Sequence, residues 1–184
     1  VEIVSHTGGV DGFVTSVSLI PEQDLGIVVL TNTDANGFYE ALKWEIIDAY
    51  MDLPYRDYSR FYLNRYKFFQ EQDLDQVNAW RDSVALKLPL PVEMSRFEGR
   101  YVDEVYGYAD LKAKGDHLVM TFQHHSDLTG KLEYIGNERF LCTYSHPLWG
   151  IKVFPFEIVN GSVKSFTLSV ADFLEYTTYE FRKE

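Results

Sequence analysis

The second half of the chain constrains the fold most, because short runs of β-branched and aromatic residues alternate there with turn signals. The turn signals include Gly115-Asp116, Gly136-Asn137 and Asn160-Gly161. This spacing predicts an antiparallel sandwich or barrel. Eight strands fit a closed up-and-down barrel, which leaves no unpaired edge. The predicted strands are Gly99 to Val102, Ala109 to Lys114, His117 to Thr121, Lys131 to Ile135, Arg139 to Tyr144, Lys152 to Val159, Val163 to Val170 and Thr177 to Arg182.

The barrel interior is predicted to be filled with side chains, since small barrels either fill in this way or hold one ligand. Large apolar residues are abundant in this half of the chain and favour the filled interior. The phenylalanines concerned are Phe122, Phe140, Phe154, Phe156, Phe166 and Phe173.

The first fifty residues predict a hairpin covered by a helix. Phe13 to Ile20 alternates apolar and small polar residues with the period of a strand. A turn at Pro21-Glu22-Gln23-Asp24 leads into Leu25 to Thr31, which is almost wholly apolar. We expect this second strand to pair antiparallel with the first and to be buried on both faces.

Two helical segments follow the hairpin. Asp34 or Asn36 can cap a helix that runs to about Met51. The apolar stripe predicted to cover the hairpin is Phe38, Leu42, Ile46, Ala49 and Leu53. Tyr58 to Leu86 contains no glycine or proline and predicts one long helix or two shorter ones. Its packing stripe is Tyr62, Tyr66, Phe69, Val77, Trp80 and Val84.

Composition excludes several classes of partner. A formal net charge of -11 argues against nucleic acid and anionic membrane surfaces, since both require a basic patch. No apolar stretch approaches the roughly 18 residues of a bilayer span. The single cysteine, Cys142, can form no intrachain disulfide and is predicted to be a small core residue.

Neither a metal site nor any other cofactor is predicted. Four histidines (His117, His124, His125 and His146) fall in the second half, but neighbouring strand residues point to opposite faces. Their spacing matches no common set of zinc ligands. Four acids (Asp103, Glu104, Asp110 and Asp116) fall around predicted turns, where charges are usually solvated, so paired acids for glycoside chemistry are disfavoured.

One short motif carries a family resemblance. His6-Thr7-Gly8-Gly9 precedes Pro21-Glu22 and the run Gly26-Ile27-Val28-Val29-Leu30-Thr31-Asn32. This order resembles the third signature region of the serine β-lactamase and penicillin-binding protein superfamily, in its class C-like and esterase-like branch. The resemblance implies a substrate- and oxyanion-binding element at His6, Thr7, Gly8 and Gly9. In it His6 lies near the substrate carboxylate or the oxyanion, Thr7 offers a hydroxyl, and the Gly9 N–H is an oxyanion donor.

The family's nucleophile is not found in this sequence. Members carry Ser-x-x-Lys and Tyr-x-Asn or Ser-x-Asn elements upstream of the glycine motif. Ser-x-x-Lys does not occur here, and Tyr62-Leu63-Asn64 lies downstream in a predicted helix, where we interpret it as chance. The resemblance therefore implies the C-terminal part of a hydrolase of β-lactams, D-amino-acid peptides or small esters and amides. Its nucleophile and base would lie in an upstream catalytic domain, so this chain alone is expected to be inactive.

The resemblance also implies a domain plan. Residues 1–53 are the end of a β-lactamase-like domain, 54–91 a helical connector, and 92–184 a lipocalin-like barrel, giving an α+β chain. The barrel resembles the accessory domain of related hydrolases in Phe97-x-Gly99-x-Tyr101 and in Gly130-Lys131-Leu132-Glu133-Tyr134. The alternative is a non-catalytic binding or dimerisation module. We expect a homodimer through uncovered strand edges and apolar faces, and the family implies the cell envelope, the periplasm or secretion.

Overall fold

The computed structural model describes residues 1–34, 36–169 and 177–184. The chain divides into two compact units, Val1–Asp75 and Gln76–Glu184. The first unit contains a three-stranded sheet and the second an eight-stranded antiparallel barrel, with two helices in the described part of the chain. The predicted α+β class is confirmed.

The first unit begins with an antiparallel meander of β1 (Val4–Val10), β2 (Phe13–Ile20) and β3 (Leu25–Thr31). The bounds of β2 and β3 agree with the prediction. Strand β1 contains the glycine motif and pairs with β2 across the two-residue turn Asp11-Gly12. Gly12 has a φ of 87°, a conformation that costs glycine little and other residues more.

Helix α1 (Phe38–Tyr50) covers one face of this sheet, as predicted. The N-cap residue is Gly37, without a side-chain cap, so neither Asp34 nor Asn36 is the N-cap residue. Asn36 lies one residue earlier, and its side chain accepts a hydrogen bond from the backbone N of Phe38 at 3.1 Å. The core between helix and sheet is formed by Ile20, Ile27, Val29 and Ile47.

The predicted stripe of α1 is wrong in most of its positions. Of its five residues, Leu42 packs against the core, whereas Phe38, Ile46, Ala49 and Leu53 are exposed. The buried positions are Ala41, Lys43, Ile47 and Asp48. Lys43 can be buried because its charge is paired internally, at 2.6 Å from Glu40.

The prediction that β3 is buried on both faces is also wrong. Its helix-facing residues are buried, but Val28 and Leu30 on the other face are 65% and 75% exposed. Register places further exposed apolar residues on the same side. We call this surface the open face; its large apolar residues are Val4, Val10, Phe13, Val17, Leu19, Val28 and Leu30.

Helix α2 (Tyr58–Ala85) is one long helix, one of the two predicted alternatives. Near its start, the Tyr58 hydroxyl donates to the Asp48 carboxylate at 2.9 Å. None of its residues is buried. Among the described residues, no helix is both long enough and apolar enough to cross a bilayer.

The second unit is a closed up-and-down barrel, in which each strand pairs with its sequence neighbours and the last pairs with the first. All eight predicted strands are confirmed within a few residues; predicted positions Val170 and Phe173 lie outside the described residues. The strands are β4 (Gly99–Asp103), β5 (Gly107–Lys114), β6 (His117–Phe122), β7 (Thr129–Gly136), β8 (Arg139–Tyr144), β9 (Ile151–Val159), β10 (Ser162–Ser169) and β11 (Thr178–Lys183).

Aromatic rings fill the middle of the barrel, as predicted. Rings from four strands contact one another there, with centroids 5.0 to 5.3 Å apart in the pairs Phe140–Phe156, Phe156–Phe166 and Phe166–Phe181. Cys142 is buried in the same core, and burial raises the pKa of its thiol. The prediction that it is a core residue is confirmed.

The two ends of the barrel differ. At one end, which we call the closed end, a short 3-10 helix, Met94–Phe97, inserts Phe97 into the core. The Tyr101 hydroxyl donates to the Phe97 carbonyl at 2.8 Å. The strand connections at this end are tight turns such as Asn160-Gly161, where both residues have positive φ.

We expect Tyr101→Phe to lower the free energy of unfolding by about 1–2 kcal/mol, because it leaves the buried Phe97 carbonyl without its hydrogen-bond donor. Urea denaturation followed by fluorescence measures this change. Tyr55→Phe, at an exposed tyrosine, is the control and should leave stability unchanged. Equal stability of the two variants would contradict the assigned hydrogen bond.

Candidate functional site

The first candidate site is the free edge of β1. In the sheet that the structure describes, β1 pairs on one side with β2 and has no strand on its other side. The two-residue turn makes Val10 and Phe13 a hydrogen-bonded pair, and pairs then alternate along the hairpin. The backbone groups of Ser5, Thr7 and Gly9 therefore point away from β2, toward the free edge.

The side chains of the motif divide between the two faces of the sheet. His6 lies opposite Val17 and shares the open face, whereas Thr7 lies opposite Ser16 on the helix side. Both His6 and Thr7 are exposed. The structure thus brings the backbones of Thr7 and Gly9 to one edge and places the His6 side chain beside that edge on the uncovered face.

This edge can donate hydrogen bonds to a ligand. A free strand edge presents N–H donors at regular spacing, and two adjacent glycines allow close approach because they have no side chain. Thr15 lies opposite Gly8 on β2, and its hydroxyl donates a hydrogen bond to the Gly8 carbonyl at 3.3 Å. This bond holds β1 from the side of β2, away from the free edge. The nearby hydroxyls of Ser16 and Ser18 are buried on the helix side, so neither can reach a ligand at the edge.

A groove of about 590 Å³ lies between the start of α1 and α2 in the first unit. Its walls include Tyr39, Tyr62 and Phe69. Its carboxylate Glu40 is engaged internally, accepting from Lys43 at 2.7 Å and from the Trp44 indole at 3.1 Å. Burial, followed by the charge of Glu40, raises the pKa of both tyrosines. The Glu40 carboxylate is therefore already bonded within α1.

A second candidate site lies at the barrel end opposite Met94–Phe97, and sequence analysis did not find it. A cavity of about 140 Å³ is lined there mainly by rings that come from separate strands and loops. The lining includes Tyr106, Phe122, Tyr144, Trp149 and Phe181, with Leu128 and the rim histidines His124 and His125. We call this the aromatic cup. The feature of the sequence that could have indicated this site is the position of several of these rings at or near the ends of predicted strands.

The remaining histidines and acids are engaged locally. His117 lies 3.3 Å from Asp116, and the ring nitrogen of His146 accepts from the backbone of Leu148. Arg100 holds Asp110 through two hydrogen bonds of 2.8 and 2.9 Å, which lower the pKa of that carboxyl. Among the described residues, no three histidine, cysteine, aspartate or glutamate side chains gather where they could hold a metal ion.

Comparison with known proteins finds a relative in sequence. No family model matches the chain. Over 114 residues, 58% of this chain, it is 31% identical to "Unguisins hydrolase ungD'" of Aspergillus campestris (strain IBT 28561). The match covers 21% of that protein, so the chain spans about a fifth of its relative's length. The chain is therefore related in sequence to a protein named as a hydrolase.

Solved structures add little. "Crystal structure of SurE" aligns with a TM-score of 0.39 at 15% identity, over 98% of this chain and 34% of that chain. "Crystal structure of SurE with D-Leu" has the same TM-score and identity and covers 99% and 35%. This similarity is too low to carry an argument about fold or function.

The register of β1 predicts an alternation in amide exchange. The N–H groups of His6 and Gly8 should exchange slowly with solvent deuterium because they bond to β2, whereas those of Thr7 and Gly9 should exchange fast. Amide-resolved NMR of the chain at low concentration measures the four rates. Slow exchange at Gly9 together with fast exchange at Gly8 would contradict the assigned register, because the Gly8 N–H and not the Gly9 N–H would then face the free edge.

Proposed function

We propose that this chain is the C-terminal part of a serine hydrolase and that the free edge of β1 forms one wall of its active site. The observation that carries the proposal is the register of β1, which turns the Gly9 N–H away from β2 and toward the free edge of the described sheet. The sequence relative named as a hydrolase supports the reaction class.

The edge suits acyl transfer chemistry. When a nucleophile attacks a carbonyl, the oxygen gains negative charge, and backbone N–H donors held in place stabilise it without reorganisation. In this proposal Gly9 supplies one of two such donors. In this proposal the second donor and the serine with its base come from a preceding segment, because the resembled family carries its Ser-x-x-Lys element upstream of the glycine motif.

The other motif residues take the roles that the family resemblance implies. Thr7 offers its hydroxyl to the substrate, and His6 lies near the substrate carboxylate or the oxyanion. A histidine where the family more often has lysine weakens the case for a fixed charge that binds a carboxylate. Small esters and amides and D-amino-acid peptides are therefore at least as suitable substrates as β-lactams.

The proposed domain plan follows the same resemblance. In this plan, residues 1–53 are the C-terminal segment of a β-lactamase-like catalytic domain. Residues 54–91 are a helical connector, and residues 92–184 form a lipocalin-like accessory barrel. The catalytic domain upstream is then the partner of this chain within one polypeptide. The family resemblance assigns such a protein to the cell envelope, the periplasm or the medium.

The first test is the coding sequence before Val1. The proposal expects an in-frame Ser-x-x-Lys followed by Tyr-x-Asn, and hydrolysis of a chromogenic ester by the encoded protein but not by the 184-residue chain. In that complete protein, Gly9→Pro should lower kcat by about 100- to 1000-fold, because it removes an oxyanion donor. Proline suits this position, since the lost N–H faces the free edge and belongs to no ladder bond.

Two control variants separate the donor from the fold. Gly9→Ala adds a methyl group but keeps the N–H, and should retain most of the activity. Ser5→Pro removes another edge-directed N–H at the far end of β1 and should also remain active. If Gly9→Pro is as active as Gly9→Ala, the Gly9 N–H is not an oxyanion donor.

We further propose that the 184-residue chain forms a homodimer through the open face. Seven large apolar side chains are exposed on that face, more than a stable surface usually carries in one patch. A second copy of the same face buries them without any other partner. The association belongs to the isolated chain, since an upstream domain of the complete protein would cover the same surface.

Val28→Lys should weaken this dimer at least tenfold, because Val28 lies mid-strand on the open face and a lysine there is desolvated on association. Sedimentation equilibrium of both proteins measures the dissociation constants. Val159→Lys places the same change at an exposed valine of the barrel and serves as the control. A monomeric parent chain at high concentration, or equal constants for both variants, would refute the open-face dimer.

A further inference from the structure

The aromatic cup is the one described cavity lined by rings that converge from separate elements of the barrel. Phe122 and Tyr144 stack with centroids 6.1 Å apart, and Trp149 lies 6.5 Å from Tyr144. His125 meets the Trp149 ring edge to face at 5.9 Å. Rings held by one another in this way form a rigid apolar wall, which suits a flat ligand.

The two ends of the barrel are built differently. The closed end has tight turns and is filled by Phe97, whereas longer connections, residues 123–128 and 145–150, border the cup. Loops on a rigid scaffold commonly carry binding residues.

The volume of the cup limits the size of a ligand that it can hold. The cavity measures about 140 Å³, and an apolar cavity of about 150 Å³ is known to hold one benzene molecule. Below the cup, Phe154 and Phe166 pack against each other with centroids 6.0 Å apart and fill the barrel. A long acyl chain therefore finds no tunnel to enter.

We propose that the aromatic cup binds one benzene-sized apolar ring. The ring can come from a free aromatic compound or from an aromatic side chain of a peptide, with the polar remainder of the ligand outside, near His124 and His125. Both histidines are exposed at the rim and can bond to an amide or a carboxylate there. This inference develops the binding-module alternative and does not depend on the hydrolase proposal, so the two fail separately.

NMR titration of the 184-residue chain tests the proposal with three probes. Benzene should shift the Trp149 indole and His125 ring signals and give intermolecular NOEs to both rings. N-acetyl-phenylalanine amide should bind at the same place: tighter binding than benzene identifies a peptide side chain as the source, and weaker binding identifies a free ring. The absence of NOEs from benzene to the cup, or tighter binding of decanoate than of benzene, would overturn the proposal.

A filling variant provides the second measurement. Leu128→Trp places a larger side chain at a buried position of the cup and should weaken benzene binding at least tenfold. Val159→Trp, at an exposed position on the last residue of β9, is the matched control and should bind as the parent does. Equal affinities of the two folded variants would place the binding elsewhere. If Leu128→Trp does not fold, the NOEs in the parent chain decide alone.

Discussion

Closure of the antiparallel ladder around a set of aromatic rings is the constraint on which the second unit depends. Each strand satisfies its backbone groups through two neighbours, and the pairing of β11 with β4 leaves the barrel with no edge strand. Closure fixes the interior, because alternate residues of every strand must point inward. Phe140, Phe156 and Phe166 fill that interior by edge-to-face and tilted contacts, while a buried tyrosine, Tyr101, holds the 3-10 helix at the closed end. The aromatic cup is what this filling leaves at the opposite end.

The first unit differs from the barrel because its three-stranded sheet is open. One face of the sheet is buried beneath α1, but the apolar side chains of the open face are exposed and the outer edge of β1 pairs with no strand that the structure describes. A sheet with two apolar faces is normally covered on both. The sheet that exposes Val28 and Leu30 on the open face also exposes the Gly9 N–H at the edge of β1. The open face and the proposed catalytic edge therefore adjoin each other. An incomplete layer is therefore a common physical cause for both proposals about this unit.

Local patterns predicted the elements of the fold well and their orientations less well. The period of two in β2, the apolar run in β3 and the turn residues between barrel strands are local properties, and the corresponding bounds agree with the structure. Before the motif, only Val1 to Val4 was expected to be the tail of a strand, so most of β1 (Val4–Val10) was not predicted, although Asp11-Gly12 is a hairpin signal. The predicted apolar stripe of α1 was wrong because the helix has apolar residues on several sides, and any of these sides could face the sheet. Lys43 in the buried set shows that a charge with an internal partner breaks the simple rule that charged residues face water.

The sequence by itself determined the strand and helix segments, the antiparallel all-β character of the second half, and the presence of a glycine motif next to a hairpin, because each of these depends on residues near one another in the chain. Only the tertiary structure decided which face of β3 stays exposed, that His6 and Thr7 lie on opposite sides of the sheet, and that Gly9 faces a free edge. It likewise decided that Tyr106, Phe122, Tyr144 and Trp149 meet around one cavity. These facts depend on register and on barrel closure, which join residues distant in sequence, and no local pattern contains them.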